Sequence, residues 1–139
     1  MKLDVRAMRL DETAVIIDYF HGSTPEHLDT LGVDPTRLPE PDQWRASYER
    51  EYAQALEQRS AFQLVWLLDD EIVGFSTVDK LHFGDQANMH LHIVRPERRR
   101  SGLGVGFVRL SAAAYFETLR LQRLFCQPNA LNTAPNRTL

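Results

Sequence analysis

Four groups of residues carry recognisable chemistry. The run from Arg95 to Gly106 reads Arg-Pro-Glu-Arg-Arg-Arg-Ser-Gly-Leu-Gly-Val-Gly. Gly102 and Gly104 have no side chain to stand between backbone amides and an anion. A helix beginning directly after them points unpaired N–H groups and its positive end at the same place, so a phosphate or pyrophosphate is the natural occupant. Arg99 and Arg100 add charge-assisted hydrogen bonds at the rim. The second group is His90 and His92, which alternate with Met89, Leu91 and Ile93 and so share one face of a strand. An imidazole titrates near neutral pH, as a base or a water-positioning group must. Two other readings stand beside it: hydrogen-bonded histidines packed under a helix, and a His-x-His metal pair, although no further ligand has suitable spacing nearby. The third is Cys126, which has no paired base in the sequence and suits a small buried side chain better than an acyl relay. The fourth comprises Asp18, Glu26, Asp29 and Asp34, which suit either a solvated surface or the attraction of a cationic amine.

The chain that must position these groups has 139 residues, 43% of them hydrophobic and 25% charged, with a net charge of −3. One compact domain spanning residues 1–139 is expected, large enough to bury a core without disulfides. A lone cysteine excludes a disulfide framework and a cysteine-rich zinc module, and favours a reducing, cytoplasmic setting. The apolar runs are too short to cross a bilayer, and no signal-peptide pattern opens the chain, so no membrane association is expected. Residues 1–70 carry 7 Lys and Arg against 14 Asp and Glu, and residues 71–139 carry 9 against 5, so the halves are −7 and +4. Four of the nine positive charges in the second half are Arg95, Arg98, Arg99 and Arg100. That local cluster fits a small anion better than nucleic acid, which needs a wider basic face with interleaved aromatics.

The apolar pattern places the elements. Leu3, Val5 and Met8 predict an opening strand, and Asp11 can cap a helix burying Val15, Ile16, Tyr19 and Phe20, which His21 and Gly22 end. Residues 23–41, with four prolines, read as a long irregular connection with room for one turn of helix. Trp44, Tyr48, Tyr52, Ala55 and Leu56 fall at helical spacing, predicting one amphipathic helix over 42–59 with an aromatic stripe in the core. Strands are expected at 62–68 and 72–81, joined by the acidic turn Asp69-Asp70-Glu71, and again at 87–94 after a turn at Gly84 and Asp85. The glycine loop then leads into a helix over 103–121, a strand over 124–127 and a final helix near Pro135.

The glycine loop lacks the Gly-Lys-Ser/Thr ending of a nucleoside-triphosphate P-loop, and its Gly-x-Gly-x-Gly spacing is not the dinucleotide fingerprint. Residues Arg99-Arg100-Ser101-Gly102-Leu103-Gly104 instead resemble the Gln/Arg-x-x-Gly-x-Gly/Ala loop of the GNAT superfamily of N-acetyltransferases. The segment from Asn129 to Leu139 resembles the start of that family's next helix, at the expected separation, most nearly in ribosomal-protein-acetyltransferase-like members. The resemblance implies an α/β fold with a mixed, mostly antiparallel sheet flanked by helices, splayed between the strands at 87–94 and 123–127. It implies that Arg99, Arg100, Ser101, Gly102, Leu103 and Gly104 hold the pyrophosphate of acetyl-CoA, that the strand ending at Val94 pairs with its pantetheine arm, and that Asn132 contacts that arm. A backbone N–H near Ile93 or Val94 would hold the oxyanion formed as acetyl passes to an amine.

Two positions depart from the family pattern. The place of the usual tyrosine acid is Leu139 and that of the usual glutamate is Gln127, neither of which transfers a proton. His92, with His90 beside it, is then the candidate catalytic side chain. The expected activity is acetyl-CoA-dependent N-acetylation of a primary amine on a small molecule or a protein, without a metal, by a chain able to form a homodimer. A non-catalytic acyl-CoA-binding module is the alternative. Relatives close their sheet with strands after the helix near Asn132, so a C-terminally short form, or an edge left open or supplied by a partner, is expected.

Overall fold

The computed structural model describes residues 2–94 and 103–126, with the side chains of Ile93 and Leu103 left aside. Its centre is a five-stranded sheet in the order β1 (Leu3–Ala7), β2 (Phe62–Leu68), β3 (Glu71–His82), β4 (Gln86–Ile93) and β5 (Arg123–Cys126). The first three pairings are antiparallel and β4 pairs with β5 in parallel, giving the mixed, mostly antiparallel sheet expected from the sequence. The β2–β3 hairpin closes with Leu68 opposite Glu71, and both residues between them, Asp69 and Asp70, have positive φ, 50° and 68°. A two-residue hairpin turn needs that left-handed geometry to match the twist of its strands, and aspartate tolerates it.

Every residue of β2 is buried, so both faces of the sheet are covered there. One face carries α4 (Leu103–Leu119), whose Phe107, Ser111, Tyr115 and Leu119 recur every fourth residue and are fully buried. The Trp66 ring stacks on Phe107 at 4.8 Å, and its Nε1 donates to Ser111 Oγ at 2.8 Å. A second buried chain runs from Tyr115 Oη, which donates to Ser76 Oγ at 3.0 Å, to the His90 carbonyl, which accepts from Ser76 Oγ at 2.9 Å. It ties helix, β3 and β4 together at the site-bearing strand. A Cβ on Gly106 would lie 2.7 Å from Leu3 Cδ1, so α4 runs close to β1 at this third glycine and a side chain there would turn the end of Leu3 aside.

The other face carries α1 (Ala14–His21) and α3 (Pro41–Tyr52), packed around Met8, Ile16, Tyr19, Val65, Leu67 and Phe75. The entry to α1 is a 3₁₀ turn at Leu10–Thr13, fixed by the buried Glu12. Its carboxylate accepts from both terminal nitrogens of Arg6, at 2.8 and 2.7 Å, and from the Arg9 backbone N–H at 2.8 Å.

Three local expectations are corrected. The 23–41 connection contains a helix, α2 (Pro25–Thr30), with Thr24 as N-cap and proline in the first turn, and a 3₁₀ turn at Pro35–Arg37. The aromatic helix ends at Tyr52 rather than running to 59. There Glu51 accepts from the backbone N–H groups of Ser60 and Ala61, at 2.7 and 2.9 Å, turning the chain toward β2 against its helical propensity. The stripe itself is half-buried, because α3 lies on the outside of α1 and no residue of α3 is fully covered.

Candidate functional site

The functional strand is β4, and its two edges are used differently. Phe75 is opposite His92, Thr77 opposite His90, and the Val94 N–H donates to the Val73 carbonyl at 2.8 Å. Backbone groups alternate in direction along an antiparallel pair, so the N–H groups of Leu91 and Ile93 point to the opposite edge, toward β5. Pairing with β5 is described from Gln86 to Met89, and β4 continues four residues past it. This directs the Ile93 N–H, rather than that of Val94, toward the side where the sequence places a ligand arm.

The two histidines share a face, as their spacing requires, but stand in different surroundings. The His92 ring lies 5.0 Å from Phe75, 5.2 Å from Phe20 and 5.3 Å from Tyr19, half-buried in an aromatic nest under α1. His90 is paired with Asp79, Nε2 to Oδ1 at 3.2 Å, and 40% of its side chain is exposed.

Beyond His92 on the same face, Val94 lines a cleft of about 740 Å³. The rest of its described wall is Val15, Asp18 and Tyr19 of α1, the connection 22–24 and His27 of α2. Tyr19 Oη lies 2.7 Å from His27 Nε2. His27 was not singled out in the sequence, and Tyr19 was read only as core. Residues eight apart across an unrecognised helix start give no periodic signal. The residue that marks this helix start is Thr24, which precedes Pro25 and whose Oγ1 accepts from the His27 N–H at 3.1 Å.

Of the four acidic candidates, Asp18 lines the cleft. Asp34 is committed elsewhere: it accepts from the Thr36 hydroxyl at 2.7 Å and backbone N–H at 2.9 Å, and those bonds hold its carboxyl below the usual range. Cys126 is half-buried at the end of β5, and burial pushes its thiol up, away from thiolate reactivity. Among the described residues, no three His, Cys, Asp or Glu side chains converge as a metal site, and no helix is long and apolar enough to cross a membrane.

Residues 27–135 match the family model described as the acetyltransferase (GNAT) family. The chain belongs to the GNAT family. No curated protein sequence matches it. Among solved structures, this GNAT chain is similar to a spermidine N-acetyltransferase from Vibrio cholerae in complex with CoA and spermine. The TM-score is 0.70 at 13% identity, over 89% of this chain and 69% of the other. It is similar to an aminoglycoside acetyltransferase, AAC(6')-Ib, in complex with paromomycin and acetyl-CoA, at TM-score 0.71 and 15% identity, over 99% and 80% of the two chains. A predicted acetyltransferase with acetyl-CoA from Clostridium acetobutylicum gives 0.64 at 10% identity, over 98% and 87%. At these identities the likeness establishes the shared GNAT fold. In that fold Leu103 and Gly104 open α4, directly after the loop that follows β4. Arg99, Arg100, Ser101, Gly102 and Asn132, together with Gln127 and Leu139, lie outside the described residues.

Proposed function

We propose that this chain transfers the acetyl group of acetyl-CoA directly to a primary amine on a small molecule or a protein. The observation that carries the reading is the convergence at one strand end. The outer edge of β4 offers the Ile93 N–H, and the face beside it opens through Val94 into the cleft between α1 and α2.

Acetyl-CoA supplies an acetyl thioester, whose carbonyl carbon gains a bond to the neutral amine nitrogen as its bond to sulfur breaks, the nitrogen losing one proton and the departing sulfur taking one up so that CoA leaves as a thiol. The chain's part is to place and polarise. The resemblance assigns the pyrophosphate to Arg99, Arg100, Ser101, Gly102, Leu103 and Gly104, the last two opening α4. Val94 and Asn132 guide the arm. The Ile93 N–H receives the oxyanion, which a fixed donor stabilises without reorganising. His92, two residues before Val94 on the same face and packed against Tyr19 of the cleft wall, is the candidate side chain beside the path of the incoming amine. His90, tied to Asp79 and farther from the strand end, supports the strand. Asp18 draws the amine in as its cationic form. The spermidine and aminoglycoside enzymes of the same fold act on such amines, which supports this acceptor class over a nucleic-acid ligand. The single cysteine supports a reducing compartment.

Thermal unfolding with CoA or acetyl-CoA tests the first half of the reading. At a hundredfold excess over Kd, binding adds about 2.7 kcal/mol of stability, and Gly102→Glu should abolish the shift. Thiol release on adding an amine tests the second half. Stabilisation without thiol release across polyamines, aminoglycosides and peptides would favour the acyl-CoA-binding module. No response to either nucleotide would contradict the reading altogether.

A further inference from the structure

The Tyr19–His27 pair joins two helices in the wall of the acceptor cleft and has the makeup of a proton outlet. Tyr19 is 8% exposed whereas His27 is half-buried, so the 2.7 Å contact between Oη and Nε2 leads from the interior toward water. Packing fixes both rings. Tyr19 meets Phe75 edge-on at 5.6 Å and His27 at 5.7 Å, and the Thr24 cap holds the first turn of α2. The other titratable groups on α1, α2 and the two strands beside the pair are Asp18 and His21 of α1, Glu26 and Asp29 of α2, His90 and His92 of β4, and Glu71, Asp79, Lys80 and His82 of β3.

We propose that Tyr19 and His27 form a relay that takes the proton from the acceptor amine. This rests on the acetyl-transfer reading and deepens it. The ammonium form of the substrate gives one proton to Tyr19 Oη while the phenol's own proton passes to His27 Nε2. The imidazolium so formed gives its Nδ1 proton to solvent, and proton exchange with water returns the ring to the Nδ1–H form before the next turnover. The phenol is neutral before and after, which suits a side chain with almost no access to water. The nitrogen is left with its lone pair for attack, and one proton has crossed from substrate to solvent. Tyr19 is the catalytic residue of the pair because it meets the substrate, and His27 is a positioning residue acting through it. The relay requires the neutral His27 ring to carry its proton on Nδ1, so that Nε2 accepts from the phenol.

Two measurements test this. The first is ¹⁵N NMR of the His27 side chain in the free protein. The proposal expects the Nδ1–H tautomer in wild type and a changed Nε2 environment in Tyr19→Phe; an Nε2–H tautomer would overturn it. The second is steady-state acetylation of spermidine, kanamycin and a peptide with a free N-terminus. Tyr19→Phe and His27→Gln should each lower kcat about a hundredfold near neutral pH. KM for acetyl-CoA should stay within about twofold, and the rising limb of the kcat–pH profile should give way to recovery at high pH, where the amine is already neutral. If wild type turns over and both variants keep kcat and the profile, the relay is wrong and acetyl transfer stands. If folded wild type releases no thiol with any of the three amines, acetyl transfer fails and the relay falls with it.

Discussion

The buried chain from Tyr115 through Ser76 to the His90 carbonyl makes a prediction whose size follows from its connectivity. Ser76 is fully buried and uses its hydroxyl twice, accepting from Tyr115 and donating to β4. Tyr115 is equally buried, and burial pushes its phenol well above the usual range, so it is a donor at every accessible pH. Ser76→Ala therefore removes one hydrogen bond to His90, about 1 kcal/mol, and strands a buried O–H, about 1–3 kcal/mol more. The expected loss is about 2–4 kcal/mol. Tyr115→Phe leaves the Ser76–His90 bond in place and should cost about 1 kcal/mol. In the double variant no hydroxyl is stranded, so its cost should fall short of the sum by that penalty, about 1–3 kcal/mol. Urea unfolding of the four proteins closes this cycle, with equal slopes confirming that only stability has changed. Strict additivity, or a Ser76→Ala loss under about 0.5 kcal/mol, would refute the reasoning.

Other expectations concern acid stability and turnover. Glu12 is lowered from 4.5 to about 2, first by its hydrogen bonds to Arg6 and then by the Arg9 backbone, against the cost of its own burial. Its stabilisation is thus full above the unfolded carboxylate range and is lost as pH falls from about 4.5 toward 2. With Arg6 38% exposed, solvent screening leaves about 1–2 kcal/mol, visible as a fall in Tm over that window that Glu12→Gln should lack. His92→Ala should lower kcat while leaving the acetyl-CoA KM nearly unchanged; unaltered turnover would return this histidine to the core. Trp66→Phe should strand the buried Ser111 hydroxyl and cost about 1–2 kcal/mol in chemical denaturation, whereas a neutral result would show that Ser111 finds another partner.

What could be read from the sequence were the features with a short period or a fixed chemistry. The β2–β3 hairpin was legible because the acidic turn Asp69-Asp70-Glu71 interrupts two apolar runs, and α4 because Phe107, Leu110, Ala114 and Tyr115 fall at helical spacing. The order strand, glycine loop, helix pointed to the family that residues 27–135 match. What stayed hidden depended on contacts distant in sequence. The end of α3 at Tyr52 is decided by Glu51 reaching Ser60 and Ala61, in a segment whose own residues favour helix. The choice of Ile93 over Val94 as the outward N–H needed the bond from Val94 to Val73. The difference between His90 and His92 came from their neighbours, an aspartate for one and three aromatic rings for the other. Gly106 looked like part of an anion loop by composition, yet it lies within α4, beside Leu3 of β1.

The central claim is that β4 and its adjoining cleft bring an acetyl thioester and an amine together. It is tested most directly by incubating the purified chain with acetyl-CoA and each of spermidine, kanamycin and a free-amine peptide, then analysing the products by mass spectrometry. The account predicts at least one acceptor heavier by one acetyl group, one CoA thiol released per acetyl transferred, and loss of both signals in Gly102→Glu. A stabilising interaction with acetyl-CoA that leaves every acceptor unmodified would contradict it.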